Sequence, residues 1–306
     1  MAGPLASLLG RSPVLILDGA VGTELEWRGI DVSLPLWSAR ALITHPDSVL
    51  QIHKEYIAAG ADIITANTFR TTKRVFARAG LADRSATLTR LAVELARQAR
   101  TESSAHNTLI AGSMAPLEDC YRPDLVPEEN ALHAEHAEHA RRLADAGVDF
   151  LLLETMGTVR EARAACRAAA ETGKEVVVSL LCAINGRLYN GEPVEKAVEA
   201  IAPYNPAALS LNCISPRHVA PALRALQAAT SLPVAVYANV GRAGEERKET
   251  FIRDVTPDEY LAFAEGWRQQ GVRIVGGCCG TTPAYIAKLR KSFALPANTR
   301  GAENAT

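Results

Sequence analysis

The sequence has no surplus of either charge. It sets 33 Lys and Arg against 34 Asp and Glu, a formal net charge of -1, so nothing electrostatic draws it to nucleic acid or to an anionic membrane surface. A small ligand suits it better. No apolar run reaches the roughly 20 residues that span a bilayer. The opening MAGPLASLLGRSP has a weak, uncharged start rather than a signal peptide, and the chain reads as cytoplasmic. Cysteine is scarce too: six in 306 residues exclude the dense disulfide framework of a small secreted domain. A reducing compartment is required if several of them are to stay thiolates around a metal.

What the sequence does have is a repeated pattern of apolar runs of strand length. These are VLILD from Val14, DIITAN from Asp62, TLIAGS from Thr108, DFLLLE from Asp149, EVVVSLL from Glu175, ALSLNC from Ala208, PVAVYAN from Pro233 and RIVGGCC from Arg273. Their continuous apolar character means burial on both faces, as in a parallel sheet covered by helices. Eight such strands alternating with helical segments predict an α/β fold, a single (β/α)8 TIM barrel. A barrel of this kind runs to about 250 residues as one unit, and the 48% hydrophobic content supports its core. The expected organisation is a lead over 1–13, the barrel over 14–295 and a disordered tail over 296–306, where PANTRGAENAT has little to bury.

The punctuation agrees. Ser215-Pro216, Thr256-Pro257 and Thr282-Pro283 read as caps followed by a helix-starting proline. Thr158 with Glu161, and Thr256 with Glu259, have capping-box spacing. Gly60, Gly147 and Gly271 mark helix ends. Longer connections at 19–44, 115–127 and 240–255 fall at the strand ends where barrels place substrate contacts and lids. His133, His136 and His139 in LHAEHAEHA share roughly one helix face and read as part of a solvated outer helix rather than a metal cluster.

The chemistry converges on IVGGCCGTT at 274–282. Sequence neighbours do not easily bridge, because a disulfide sets its Cα atoms about 5.5 Å apart, so Cys278 and Cys279 side by side suggest a metal. Gly276, Gly277 and Gly280 let the backbone turn and aim both sulfurs at one point. Zn²⁺ accepts thiolates tetrahedrally at ~2.3 Å, and Cys213 in LSLNCIS is the best third ligand. In a closed barrel the ends of strands six and eight converge on one mouth. Three thiolates leave one position open, the mark of a catalytic rather than a structural zinc. A thiol bound there is deprotonated without a dedicated base, which implies alkyl transfer to sulfur.

The turn Asp18-Gly19-Ala20-Val21-Gly22-Thr23 brings a carboxylate to the same mouth, and Glu154 at the end of LLLE brings a second. Buried carboxylates are costly without a partner. A substrate ammonium is one candidate partner, with turn amides taking the substrate's carboxylate. Capping of helices or loops by Asp18 and Glu154 is the competing explanation.

With DGAVGTELEWRGI, PLWSA, ADIITANTF, LLLET, LSLNC and GGCCGTTP in order, the chain resembles the homocysteine S-methyltransferase family over nearly all of 14–292. The resemblance implies a zinc-dependent barrel that methylates L-homocysteine to methionine. It implies that Cys213, Cys278 and Cys279 are the zinc ligands and that Asp18 and Glu154 hold the amino acid's ammonium group. Asn239 matches an asparagine near the zinc in some members, although Ala238 and Val240 depart from the usual PNAG pattern. PLWSA, with Trp37, looks like the single-domain members that use a sulfonium donor, S-methylmethionine or S-adenosylmethionine, whose charge an aromatic face could hold. Thr155 stands where the betaine-using branch has an aromatic residue, and one barrel leaves no room for folate and cobalamin modules. ANTFRTT and PLEDCYRP depart from the sulfonium branch. Cys120, in the latter segment, reads as an ordinary loop cysteine, and Cys166 and Cys182 as structural. Two alternatives stay open: a homocysteine-activating subunit that needs a folate or corrinoid partner, and a non-catalytic zinc- or thiol-binding module. Oligomeric state is not legible.

Overall fold

A computed structural model describes residues 3–242 and 252–293. The expected tail at 296–306 and the centre of the 240–255 connection lie outside the described residues. Eight parallel strands form the barrel: β1 (Leu15–Ile16), β2 (Ile63–Ala66), β3 (Leu109–Met114), β4 (Phe150–Met156), β5 (Val176–Leu180), β6 (Ala208–Asn212), β7 (Val234–Ala238) and β8 (Ile274–Gly277). Each starts inside one of the eight apolar runs, and only β3 and β4 extend past the end of theirs, by one and two residues. Neighbours pair in sequence order from β2 to β7, β7 pairs with β8, and β8 with β1. A parallel bridge between Leu17 and Ile63 brings β1 against β2.

Among the described residues, twelve α-helices accompany the strands. After α1 (Pro4–Arg11) come α2 (Val21–Trp27), α3 (Ala41–Thr44), α4 (Pro46–Ala58), α5 (Lys73–Arg78) and α6 (Ser85–Glu102). The second half adds α7 (Glu129–Ala146), α8 (Val159–Ala170), α9 (Val194–Ile201), α10 (Val219–Ala229), α11 (Pro257–Gln269) and α12 (Pro283–Phe293). Alternate strand residues serve two cores. Leu15, Leu17, Ile63, Phe150, Leu152 and Val177 fill the barrel, while Ile16, Ile64, Ile110, Leu151, Val178 and Val236 pack outward against the helices. That double burial explains why the strands read as unbroken apolar runs.

The lead forms a helix. Leu5 and Leu9 of α1 join the interior cluster, and burying each contributes about 1.5–3 kcal/mol. Two charged residues at the N-terminal ends of strands hold the helix. Glu175 accepts from the Leu5 and Ala6 amides at 2.8 and 2.9 Å. Arg273 donates to the carbonyls of Leu9, Ser12 and Pro13 at 2.7–2.9 Å. These contacts complete the free N–H and C=O groups that a helix leaves at its two ends.

The helix signals hold unevenly. Thr256 and Glu259 form the full capping box, whereas Thr158 accepts from the Glu161 amide and the Glu161 carboxylate turns elsewhere, to the Leu117 amide. Ser215-Pro216 opens a 3-10 turn ahead of α10. Gly60, Gly147 and Gly271 all take the expected positive φ. The histidine helix departs from the solvated reading: His136 and His139 are buried on the inner face of α7, where Ala137 and Ala140 let the helix pack closely. Burial holds the His139 pKa down to about 4, and His136 lies 3.3 Å from Glu161.

Candidate active site

All the C-terminal strand ends meet at one mouth, and β6 and β8 bring the cysteines there. The Sγ atoms of Cys213, Cys278 and Cys279 all lie within 4.8 Å of one another, and Cys213 and Cys278 are 3.3 Å apart. A tetrahedral zinc with bonds of ~2.3 Å sets its sulfurs ~3.8 Å apart, so this soft donor set fits such an ion. Cys213 reaches the cluster from a left-handed backbone, φ 56, a conformation that costs a non-glycine residue about 1–3 kcal/mol. The thiols of Cys213 and then Cys279 bond to the Cys278 sulfur and hold its pKa well below the ordinary thiol value. The bond to Cys278 pushes Cys213 well up.

Backbone bonds fix the cysteine turn to its neighbours. Cys278 N donates to Ala238 O and Val240 N to Cys279 O, while Asn239 Oδ1 accepts from Cys279 N at 3.1 Å. Asn239 thus positions the turn and does not line the cavity. Gly277 has no room for a side chain, because a Cβ there would run into the side chain of Thr281. Gly280 takes φ 84. The Tyr56 hydroxyl ties this turn to the DGAVGT turn, reaching Ala20 O at 3.0 Å and Thr281 O at 3.2 Å.

The cavity beside the cluster, about 100 Å³, is lined by Asp18, Gly19, Trp37, Glu154, Cys213, Cys278 and Cys279 among others. Asp18 accepts from Thr65 N at 2.7 Å and Thr65 Oγ1 at 2.9 Å. Burial outweighs those bonds and raises its pKa to about 7. Glu154, bonded by Ser113 Oγ, is raised to about 8, again by burial first. Among the described residues neither carboxylate has a cationic partner. The buried Tyr237 hydroxyl faces Glu154 and Ser179 without meeting hydrogen-bond geometry to any described group. Trp37 meets Phe69 edge-on at 5.8 Å.

Several residues here escaped the sequence reading. The β4–β5 register shifts between Leu153 and Met156, where Thr155 takes φ 57. This bulge re-aims Glu154 into the mouth. Asn212 Oδ1 holds it, accepting from Thr155 N and Ser179 Oγ. The loop after β3 sets the half-buried Cys120 near Cys278 and Cys279, with burial raising its pKa to about 12. The next residue, Tyr121, places its hydroxyl against Cys213. Spacing along the chain gives no hint of these contacts. Cys166 is buried in the outer core, and Cys182 borders a second hollow.

Fold and site together define a (β/α)8-barrel enzyme whose mouth can hold a metal on three thiols. The family model described as homocysteine S-methyltransferase matches residues 15–293. The homocysteine S-methyltransferase of Escherichia coli (strain K12) is 35% identical over 302 residues, covering 94% of this chain and 97% of its own. The homocysteine S-methyltransferase YbgG of Bacillus subtilis (strain 168) is 32% identical, with 94% and 96% covered. The crystal structure of the homocysteine methyltransferase MmuM from Escherichia coli in its metallated form superposes with a TM-score of 0.82 at 33% identity, covering 95% of this chain and all of that one. The chain belongs to the homocysteine S-methyltransferase family and is a methyltransferase enzyme. No helix among the described residues is long and apolar enough to cross a membrane.

Proposed function

We propose that this enzyme transfers a methyl group from a sulfonium donor, S-methylmethionine or S-adenosylmethionine, to the sulfur of L-homocysteine, giving methionine, with zinc held by Cys213, Cys278 and Cys279. The observation that carries the reading is the junction of three thiols with two carboxylates, the buried Asp18 and the half-buried Glu154, that have no cationic partner among the described residues. Bound zinc would supply a site at which the substrate thiol loses its proton at neutral pH.

The chain's own residues do the rest. Asp18 and Glu154 hold the substrate ammonium, which restores the charge balance their burial upsets. The turn at Gly19 faces the carboxylate end, and Trp37 walls the cavity against water. The Tyr237 hydroxyl, which faces Glu154 and Ser179, offers a further hydrogen bond to the amino acid. Asn239, by fixing the Cys279 amide, keeps the thiols aimed at one point. The barrel over 14–295 is then one catalytic unit, and its dependence on free thiols suits the reducing cytoplasm.

The test measures metal content of protein purified under reducing conditions, together with methionine formed from homocysteine and S-methylmethionine, S-adenosylmethionine, betaine or methylcobalamin. About one zinc per chain and turnover with a sulfonium are expected, both lost in Cys213→Ala. Methionine made only from methylcobalamin or betaine would overturn the donor assignment. Protein that takes up no zinc after reconstitution would overturn the metal assignment.

A further inference from the structure

The inner cavity accounts for one substrate, but methyl transfer needs two sulfurs within a bond length of the same carbon. A second hollow, about 580 Å³, lies on the other side of Cys213, lined by Tyr121, Ile184, Asn185, Tyr189 and His218. Cys213 is common to both walls. Large apolar side chains exposed together, rather than singly, mark sites of interaction. Five are exposed among the described residues: Leu34, Tyr121, Leu125, Ile184 and Tyr189. Three of those five border this hollow.

Their arrangement is built rather than loose. Tyr121 and Tyr189 meet edge to face, centroids 5.5 Å apart at 71°, a geometry that leaves ring faces free. The Tyr189 segment is pinned by Tyr189 N to Leu181 O and Asn190 N to Gly157 O. Glu192, which caps α8 through Val159 N, also holds Asn190. An aromatic face attracts a cation, and a sulfonium is a weakly hydrated one that loses little on leaving water. Asn185 and His218, which also line the hollow, are polar groups suited to the polar end of such a molecule.

We propose that this outer hollow is the methyl-donor site, with the donor's sulfonium against Tyr121 and Tyr189 and its methyl directed past Cys213 into the inner cavity. The assignment rests on the sulfonium reading of the function and moves the aromatic recognition of the donor from Trp37, which lines the inner cavity, to the two tyrosines. A lone pair on the homocysteine thiolate forms the new C–S bond. The donor's S–CH3 bond breaks with its electrons on the donor sulfur, and the thiol proton has already left to solvent. The donor thereby becomes a neutral thioether, loses its attraction to the rings and is free to leave.

The test uses zinc-loaded full-length enzyme carrying Tyr121→Leu or Tyr189→Leu, which keep bulk and remove the ring. The expected result is a donor KM raised about threefold to thirtyfold, the range of a cation–π contact, with homocysteine KM unchanged in Tyr189→Leu, whose ring does not touch the thiols, and Tyr189→Phe restoring the donor KM. Calorimetry of metal-free wild type saturated with homocysteine, which lacks the activated thiolate and does not turn over, provides a second readout: S-methylmethionine should bind more tightly than 2-amino-5-methylhexanoate, in which carbon replaces the charged sulfur. Wild-type turnover with donor KM unchanged in both leucine variants, or with homocysteine KM rising equally in Tyr189→Leu, overturns the donor site alone. Wild type that makes no methionine from either sulfonium overturns the functional reading and the donor site with it. Thermal melts of each variant separate loss of fold from loss of binding.

Discussion

Asn212 holds Thr155: its Oδ1 accepts the Thr155 amide at 3.0 Å and the Ser179 hydroxyl at 2.7 Å, and so it fixes the left-handed bulge that turns Glu154 into the cavity. Strain makes that support necessary, since Thr155 and Cys213 are both non-glycine residues at positive φ and such backbone persists only where its surroundings over-determine it. Asn212 supplies the constraint for Thr155, and it directly precedes Cys213. One side chain therefore sets the position of the Glu154 carboxylate and directly precedes Cys213.

Asn212→Ala should show both effects. Two buried donors lose their acceptor, at a cost of about 1–3 kcal/mol each, and Glu154 is no longer aimed. We expect a stability loss of about 2 kcal/mol or more in urea titration and a fall in kcat/KM for homocysteine of roughly tenfold or more. A destabilised variant with unaltered homocysteine kinetics would show that the bulge does not position Glu154.

The opposite end of the barrel makes the control. Arg273 bonds three backbone carbonyls at the end of α1, remote from the mouth. Arg273→Met keeps the packing of the stem and removes the donors, so it should lower stability by about 1–3 kcal/mol while homocysteine KM and donor KM stay at wild-type values. Thermal melts and steady-state rates on the same preparation decide it; altered KM values would mean that α1 communicates with the site.

The barrel was legible because strands buried on both faces must be continuously apolar, and a strand starts inside each of the eight runs, from Val14 to Arg273. The thiol triad was legible for a related reason: adjacent cysteines between glycines have few structural uses, and strand ends in a barrel converge. The rest depended on contacts with no signature in spacing. Tyr121 and Tyr189 meet only in space, as do Asn212 and Thr155. The capping box at Thr158 is only half formed because Glu161 is buried and serves Leu117 instead. His136 and His139 mislead for a similar reason, since polar residues among alanines read as a wet face when small neighbours in fact draw the helix inward.

Glu154 provides the pH test. Its pKa is raised from 4.5 to about 8 and that of Asp18 from 3.8 to about 7 by burial. A carboxyl whose folded pKa exceeds its unfolded one contributes stability that is full below the unfolded value and is lost as pH rises through the folded value. Ligand-free wild type should therefore lose stability relative to Glu154→Gln between about pH 5 and about pH 8, levelling above that. The amide can still accept the Ser113 hydroxyl, so the difference isolates the charge. Saturating homocysteine should shrink the gap at the alkaline end, because its ammonium stabilises the ionised carboxylates of the wild type and finds no charge on the neutral amide of the variant. Melting temperatures of the two proteins with and without homocysteine measure both slopes. Parallel curves across that range would mean that Glu154 is ionised in the free enzyme, and a gap untouched by homocysteine would mean that its ammonium binds elsewhere.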